Sequence, residues 1–347
     1  MPRPGAREFA LLLLLAFIWG SSFTLIKVVV PHLPPLSLTL WRVALATVAL
    51  LAAAWWLGER LRFSATAWGW IVLAGLTGNI LPFTLISWGE EHIDSGLAAI
   101  LISMTPFMVL LLAHFLTGDE RITPRRAVGM MLGLAGIMVL MGPNSLQALG
   151  EDMLRQLAII AAAACYAVNT LMVRHLQLRH LHHGASSATA SPDRNSNRMN
   201  YRTPGAPADD RGQAGGAHGS VRAGSGPVAL AAAIMLASTI VLLPFVPWLE
   251  GVVIPAADVA AWAVLLGLLH TGVATLIMFA IVRRAGATFF ATINFLIPVI
   301  GYLLGVLLLG ESFSLRAVLA LALILAGITA VSGVPLRRHD TPGNTVA

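Results

Sequence analysis

Ten apolar runs, most of them about as long as a bilayer is thick, leave this chain few folds to choose from. They cover 9–30, 38–57, 67–88, 95–117, 126–142, 157–173, 228–249, 258–282, 286–309 and 314–333. A helix crossing the hydrocarbon core needs about 20 mostly apolar residues. In lipid, only elements that satisfy their own backbone hydrogen bonds can span. The composition agrees: 57% of the residues are hydrophobic and 11% charged, with a mean hydropathy of +0.80, whereas soluble domains are nearer 25% charged. The sequence therefore reads as an all-α membrane protein of ten transmembrane helices. The first run, Phe9 to Val30, is longer than the ~7–15-residue apolar core of a signal peptide and is read as a retained helix. The single cysteine, Cys165, excludes an intrachain disulfide framework and is read as packing.

The formal charge of +6 does not point to nucleic acid, because its distribution follows the membrane. With the N-terminus in the cytoplasm and ten alternating helices, 18 of the 22 basic residues fall in cytoplasmic ends and loops, the positive-inside bias. Arg155 and Arg316 fall outside, while Lys27 and Arg42 lie within helices. The outer loops hold acids: Glu90, Glu91, Asp94, Glu151, Asp152, Glu250, Asp258 and Glu311. Both termini are expected in the cytoplasm.

The chain also repeats itself. A shift of 192 places Trp70 on Trp262, Gly75 on Gly267, Pro106 on Pro298 and Gly118 on Gly310. Near the front the shift is 147: Trp19 falls on Tyr166, Ser22 on Asn169 and Lys27 on Arg174. The difference, 192 − 147 = 45, requires an insertion between helices 6 and 7, and the segment 176–226 supplies it. Two halves follow, 9–142 and 157–333. Five helices per half is an odd number, so the second half crosses upside down. Such five-plus-five inverted repeats belong to secondary transporters, with substrate held near the midplane between the halves.

Proline at the middle of an apolar run removes a backbone donor and frees the carbonyl four residues earlier. Pro82, Pro106 and Pro298 would free Gly78, Ile102 and Asn294, as gating breaks or as kinks healed by neighbouring hydroxyls. Polar residues inside membrane helices are costly and often functional. The candidates for substrate binding are Trp19, Ser22, Lys27, Arg42, Asn79, Tyr166, Asn169, His270 and Asn294. The bland reading of each is an interhelical hydrogen bond, worth about 0.6 kcal/mol on average. For Lys27 and Arg42 it is snorkelling to headgroups, with Glu90 or Glu91 as partner; the sharper reading is a vestibule attracting carboxylates. No carboxylate is read at mid-depth, which leaves His270 as the group there that titrates near neutral pH.

The stretches Trp19–Arg42 (WGSSFTLIKVVVPHLPPLSLTLWR), Gly89–Leu101 (GEEHIDSGLAAIL) and Arg283–Glu311 (RRAGATFF through LIPVIGYLLGVLLLGE) resemble the EamA-type transporters of the drug/metabolite transporter superfamily. The resemblance covers nearly all of the chain except 176–226. It implies the ten-helix inverted repeat, a bacterial inner membrane, and export of small metabolites such as amino acids. The alternative is efflux of amphipathic drugs or cations, which a mid-depth carboxylate would favour. The expected partners are a small-molecule substrate and membrane lipid, with no nucleic acid.

Segment 176–226 is rich in Gly, Ser, Ala, Pro and Arg and lacks apolar periodicity, so it is expected to be a disordered cytoplasmic loop. Its histidines, with His175 just before it, match no closed metal site, and a basic arm near anionic headgroups is the better reading. No cofactor or metal is expected. A membrane-embedded enzyme would need clustered acids, histidines or a metal motif at one depth; none is found, and the chain is read as no enzyme.

Overall fold

The computed structural model describes residues 5–116, 123–141, 151–189, 226–251 and 253–332. Among these the chain is all helical. The elements are α1 (Ala6–Val29), α2 (Pro35–Trp56), α3 (Ala65–Gly75), α4 (Leu81–Glu90), α5 (Ser95–Ile102), α6 (Thr105–Leu116), α7 (Pro124–Met141), α8 (Glu151–Thr189), α9 (Pro227–Leu249), α10 (Ala257–Gly267), α11 (Ala274–Ala285), α12 (Ala287–Phe290), α13 (Ile293–Leu309) and α14 (Leu315–Ser332). A π turn, Leu76–Ile80, joins α3 to α4, and a second, Leu268–Val273, joins α10 to α11. Among the described residues seven stretches are long and apolar enough to cross a membrane, including Ala65–Glu90, Ser95–Phe115 and Ala257–Ala285 as continuous spans. Many large apolar side chains face outward, including Phe17, Trp55, Trp56, Phe115 and Trp248, as expected where the surroundings are lipid.

Among the described residues each apolar run falls mostly on helix, with turns at 103–104 and 291–292. The run at 157–173 lies within a longer element, because α8 continues through Thr189 into the segment expected to be a loop. Residues 190–225 of that segment, and the turn at Gly118 and Asp119, lie outside the described residues.

The prolines are placed economically. Pro106 sits in the first turn of α6, where a missing N–H costs nothing because that donor has no intrahelical acceptor. Pro82 lies within the continuous Ala65–Glu90 span, directly after the π turn, whose wider bonding (Leu81 N–H to the Leu76 carbonyl) accommodates its missing donor. The Ile102 carbonyl accepts from the Thr105 hydroxyl at 2.7 Å, so a side chain heals this break. Pro298 differs: it lies inside α13, and the helix interruption comes earlier, at Ala291–Thr292. The two prolines that match under the shift therefore do not mark matching breaks.

The packing brings α2 onto α9, α7 onto α14, α1 onto α13, and α8 onto α4 and α6. Glycines set the closest approaches. A side chain on Gly75 would meet the Ile234 carbonyl at 3.3 Å, and one on Gly267 would meet the Arg42 carbonyl at the same 3.3 Å.

Helix ends are held by distant acids. Gly58 and Gly310 adopt positive φ, +71° and +66°, which glycine tolerates at a helix C-terminus. The glutamate after each turns back onto another helix. Glu59 accepts from the Ala229 amide at 2.7 Å, at the start of α9. Glu311 accepts from the amides of Ser95 (2.7 Å) and Gly96 (3.0 Å) and from the Ser95 hydroxyl (2.6 Å), at the start of α5. Glu250 does the same for α2, taking the amides of Leu36 (2.9 Å) and Ser37 (2.7 Å). The first amides of a helix have no internal acceptor and carry its positive end, so a carboxylate there serves both needs.

Candidate functional site

The two π turns place polar side chains where the halves of the chain meet. A π turn carries one residue more than the α-helical repeat allows, and such bulges recur at functional sites. In the second turn His270 is 4% exposed. Its Nδ1 lies 3.1 Å from the Leu265 carbonyl, five residues back, and its Nε2 lies 3.1 Å from the Ser21 hydroxyl on α1. A carbonyl only accepts, so Nδ1 carries the proton, and in the neutral ring Nε2 accepts from Ser21. The Ser21 hydroxyl also lies 3.0 Å from the Ile18 carbonyl and has one proton for two acceptors.

Beside this pair is a cavity of about 410 Å³ between α1 and the α10–α11 span. Leu14, Phe17, Leu265 and Leu269 form apolar walls, and Ser21, Thr24 and His270 supply the polar points. The Thr24 hydroxyl is buried and has no hydrogen-bond partner.

The first π turn makes a related contact. The Thr77 hydroxyl, whose proton goes to the Leu73 carbonyl at 2.9 Å, lies 3.5 Å from the Asn169 side-chain amide on α8, and Gly78 packs directly against that amide. Asn79 is buried in the same turn. Under the 147 shift, Asn169 is the counterpart of Ser22, the neighbour of Ser21.

A second polar group gathers around Arg42, which is 4% exposed. Its guanidinium lies 4.0 Å over the Phe83 ring, and its Nε has no hydrogen-bond partner. Tyr166 and Glu90 are the charged or ionisable groups acting on it. Lys27 donates to the backbone carbonyls of Glu90 (2.8 Å) and Ile93 (2.7 Å) at the C-terminal end of α4, the end of a helix that favours a cation. Arg42 is thus buried, and Lys27 is tied to backbone rather than reaching for headgroups. Glu91, one expected partner, pairs instead with Arg155.

Trp19 packs edge to face on Phe290 at 6.0 Å, and Ser22 donates to the Trp19 carbonyl at 2.6 Å. Asn294 donates to the Ala291 carbonyl at 3.0 Å, within its own helix junction. The structure therefore joins Lys27, Arg42 and Tyr166 in one group, sets Asn169 against the π turn that holds Asn79, and sets His270 of the other π turn with Ser21. Asn294 stands apart from them. Sequence reasoning missed Ser21, Thr77 and Ser87, and placed Glu90 in a loop. A signal for Glu90 existed: Phe83, Ser87 and Glu90 share one face by their four-and-three spacing.

The chain matches the EamA-like transporter family over residues 7–142 and 219–333. It belongs to that family. As an EamA-like transporter it is a multi-pass membrane protein. It is 32% identical over 170 residues to a probable terminal-alkyne amino-acid exporter of Streptantibioticus cattleyicolor, covering 48% of this chain and 56% of that protein. It is 30% identical over 173 residues to an S-adenosylmethionine/S-adenosylhomocysteine transporter of Chlamydia trachomatis, covering 49% and 53%. The chain thus spans about half the length of the curated relatives it matches. A solved crystal structure matches this EamA-like transporter with a TM-score of 0.60 at 19% identity, covering 95% of this chain and 99% of that one; the likeness is one of fold.

Proposed function

We propose that the chain is a secondary transporter that exports small metabolites, amino acids among them, across the bacterial inner membrane. It does so as ten spans in two inverted halves, with both termini in the cytoplasm. The observation that carries this reading is the pair of π turns. They begin at Leu76 and Leu268, 192 residues apart, and each turn's polar contact reaches a helix of the other half: Thr77 to Asn169, and His270 to Ser21.

Other relations support the symmetry. Gly75 against Ile234 and Gly267 against Arg42 are one contact made twice, since both members move by 192. Helix α1 packs on α13 and on the α10–α11 span, and its counterpart α8 packs on α5–α6 and on the α3–α4 span. Two packings of one unit, related by inversion, have similar energies. That equivalence is what alternating exposure of a site to either side requires.

The substrate side chains of this reading are Trp19, Ser22, Lys27, Arg42, Asn79, Tyr166, Asn169 and His270. Cations inside a closed site suit a carboxylate-bearing substrate, and the exporter from Streptantibioticus cattleyicolor, named for an amino acid, points the same way. The test is an export screen. Cells overproducing the protein are challenged with amino acids and toxic analogues, and efflux is measured. Resistance and efflux for at least one amino acid are expected; none across the set would sink the substrate class. Orientation is tested with an impermeant thiol reagent on Ser187→Cys and Ala256→Cys in a Cys165→Ala background. Labelling at 256 and protection at 187 are expected in intact cells.

A further inference from the structure

Among the described residues Glu90 is the fully buried acid, and its role remains unassigned. Glu59, Glu250 and Glu311 cap helices, and Glu91 pairs with Arg155. Glu90 is 0% exposed, and neither of its carboxylate oxygens has a hydrogen-bond partner. Lys27 engages its backbone carbonyl instead. One turn earlier on α4, the Ser87 hydroxyl is also fully buried and unpartnered, and Arg42 Nε is a further bare donor. A buried carboxylate with nothing to accept from is costly when charged and much less so when neutral.

The surroundings explain why it stays in place. Lys27 on α1 and Arg42 on α2 attract its charge, and Glu311, beyond α13, opposes it. Asp94, at the head of α5, acts with Glu311 and Lys27. On α8, Tyr166 acts on Arg42, while Arg155 is taken by Glu91. Two cations and one acid thus act on a group closed to solvent, with Asp94 one step further out. With no exposed surface Glu90 has no room beside it for a solute or a metal ion, whereas adding a proton to the carboxylate takes no extra space.

We propose that Glu90 is a proton-binding site that couples this transporter to the proton gradient. In the closed arrangement of α1, α2 and α4 it is a neutral carboxylic acid. When that seam opens, the acid releases its proton to water, and the carboxylate left behind is compensated by Arg42 and Lys27. The exchange forms and breaks one O–H bond and needs no other reactant. The coupling rests on the transport reading above; the proton site itself does not.

The test is infrared difference spectroscopy of the full chain in lipid as pH is raised, following the C=O stretch of protonated carboxylic acids. The wild type should show a buried-acid band that Glu90→Gln removes and Glu91→Gln keeps. A band that survives in Glu90→Gln overturns the proposal. If that variant does not fold, Glu90→Asp serves: the band should shift, and an unshifted band overturns the assignment. Coupling is read in vesicles loaded with a pH dye and a mixture of amino acids, as protons moved per amino acid moved. The ratio should fall at least tenfold in Glu90→Gln, and a wild-type ratio overturns the coupling. A variant that moves neither is judged by the band. A wild type that moves no amino acid but shows the Glu90 band supports the proton site while removing the substrate class.

Discussion

The hydroxyls of Thr47 and Thr239 lie 3.1 Å apart, and the two residues are 192 positions apart in the chain. Each also lies within reach of its own helix, Thr47 of the Val43 carbonyl at 2.7 Å and Thr239 of the Met235 carbonyl at 2.9 Å. Two hydroxyl protons therefore serve three contacts. In the proposed repeat a residue that touches its own counterpart sits on the axis relating the halves, so α2 and α9 are where relative motion of the halves is smallest or purely rotational.

Cysteines at both positions test that axis. In a Cys165→Ala background, Thr47→Cys with Thr239→Cys should cross-link under mild oxidation within a single chain. A folded protein that never cross-links would place the axis elsewhere.

Removing the carboxylate of Glu311 should loosen the start of α5. Glu311→Ala loses three accepted hydrogen bonds, and bonds to a charged group are worth roughly 1.5–3 kcal/mol each, net of the water contacts they replace. Glu311→Gln, which keeps one acceptor oxygen, should lie between Ala and wild type. Unfolding temperature in detergent reads the order, and a Gln variant less stable than Ala would contradict the capping role.

Asp94 should make stability depend on pH. Partial burial first, and the charge of Glu311 second, raise its carboxyl above the usual range, with Lys27 opposing them. The folded state then holds the proton more tightly than the unfolded one. The stabilising contribution is complete below the unfolded value and is lost as pH rises through the folded one. Asp94 makes no capping bond of its own, so Asp94→Asn sacrifices little. The variant should match wild type in acid and unfold at a higher temperature at neutral pH. A gap that closes toward neutral pH would reverse the assigned cause.

Asn294→Ala should weaken the α12–α13 junction, because the amide is committed to the Ala291 carbonyl. Uptake per folded copy in vesicles should stay within a few-fold of wild type. A tenfold loss, the size of one bond of about 1.4 kcal/mol, would put the residue in contact with substrate.

What the sequence could and could not disclose follows from the range of each interaction. Apolar runs and the 192 shift are properties of the chain alone, and the helices appear where those runs lie. The π turn was out of reach, since Leu76–Ile80 reads as ordinary helix and its extra residue shows only in the backbone. Pro298 misled for a related reason: a proline frees a carbonyl, but neighbouring packing decides whether the helix breaks there or earlier, at Ala291–Thr292. The burial of Glu90 beside an exposed Glu91 was half visible. Helical phase sets them on different faces, but which face is covered depends on α1, α2 and α8. Glu59, Glu250 and Glu311 sit by glycine in the text, yet their targets lie at least 170 residues away.

Those three acids have a consequence for the chain as two pieces. Glu59, from the first half, tethers α9 of the second. Glu250 and Glu311, from the second, tether α2 and α5 of the first. Each fragment therefore carries the missing acceptors of the other, and none of the bonds runs through 190–225. Severed there, neither fragment should accumulate alone, yet co-produced they should find each other and restore efflux. A lone fragment that is stable in the membrane would show that this mutual dependence is weaker than the geometry implies.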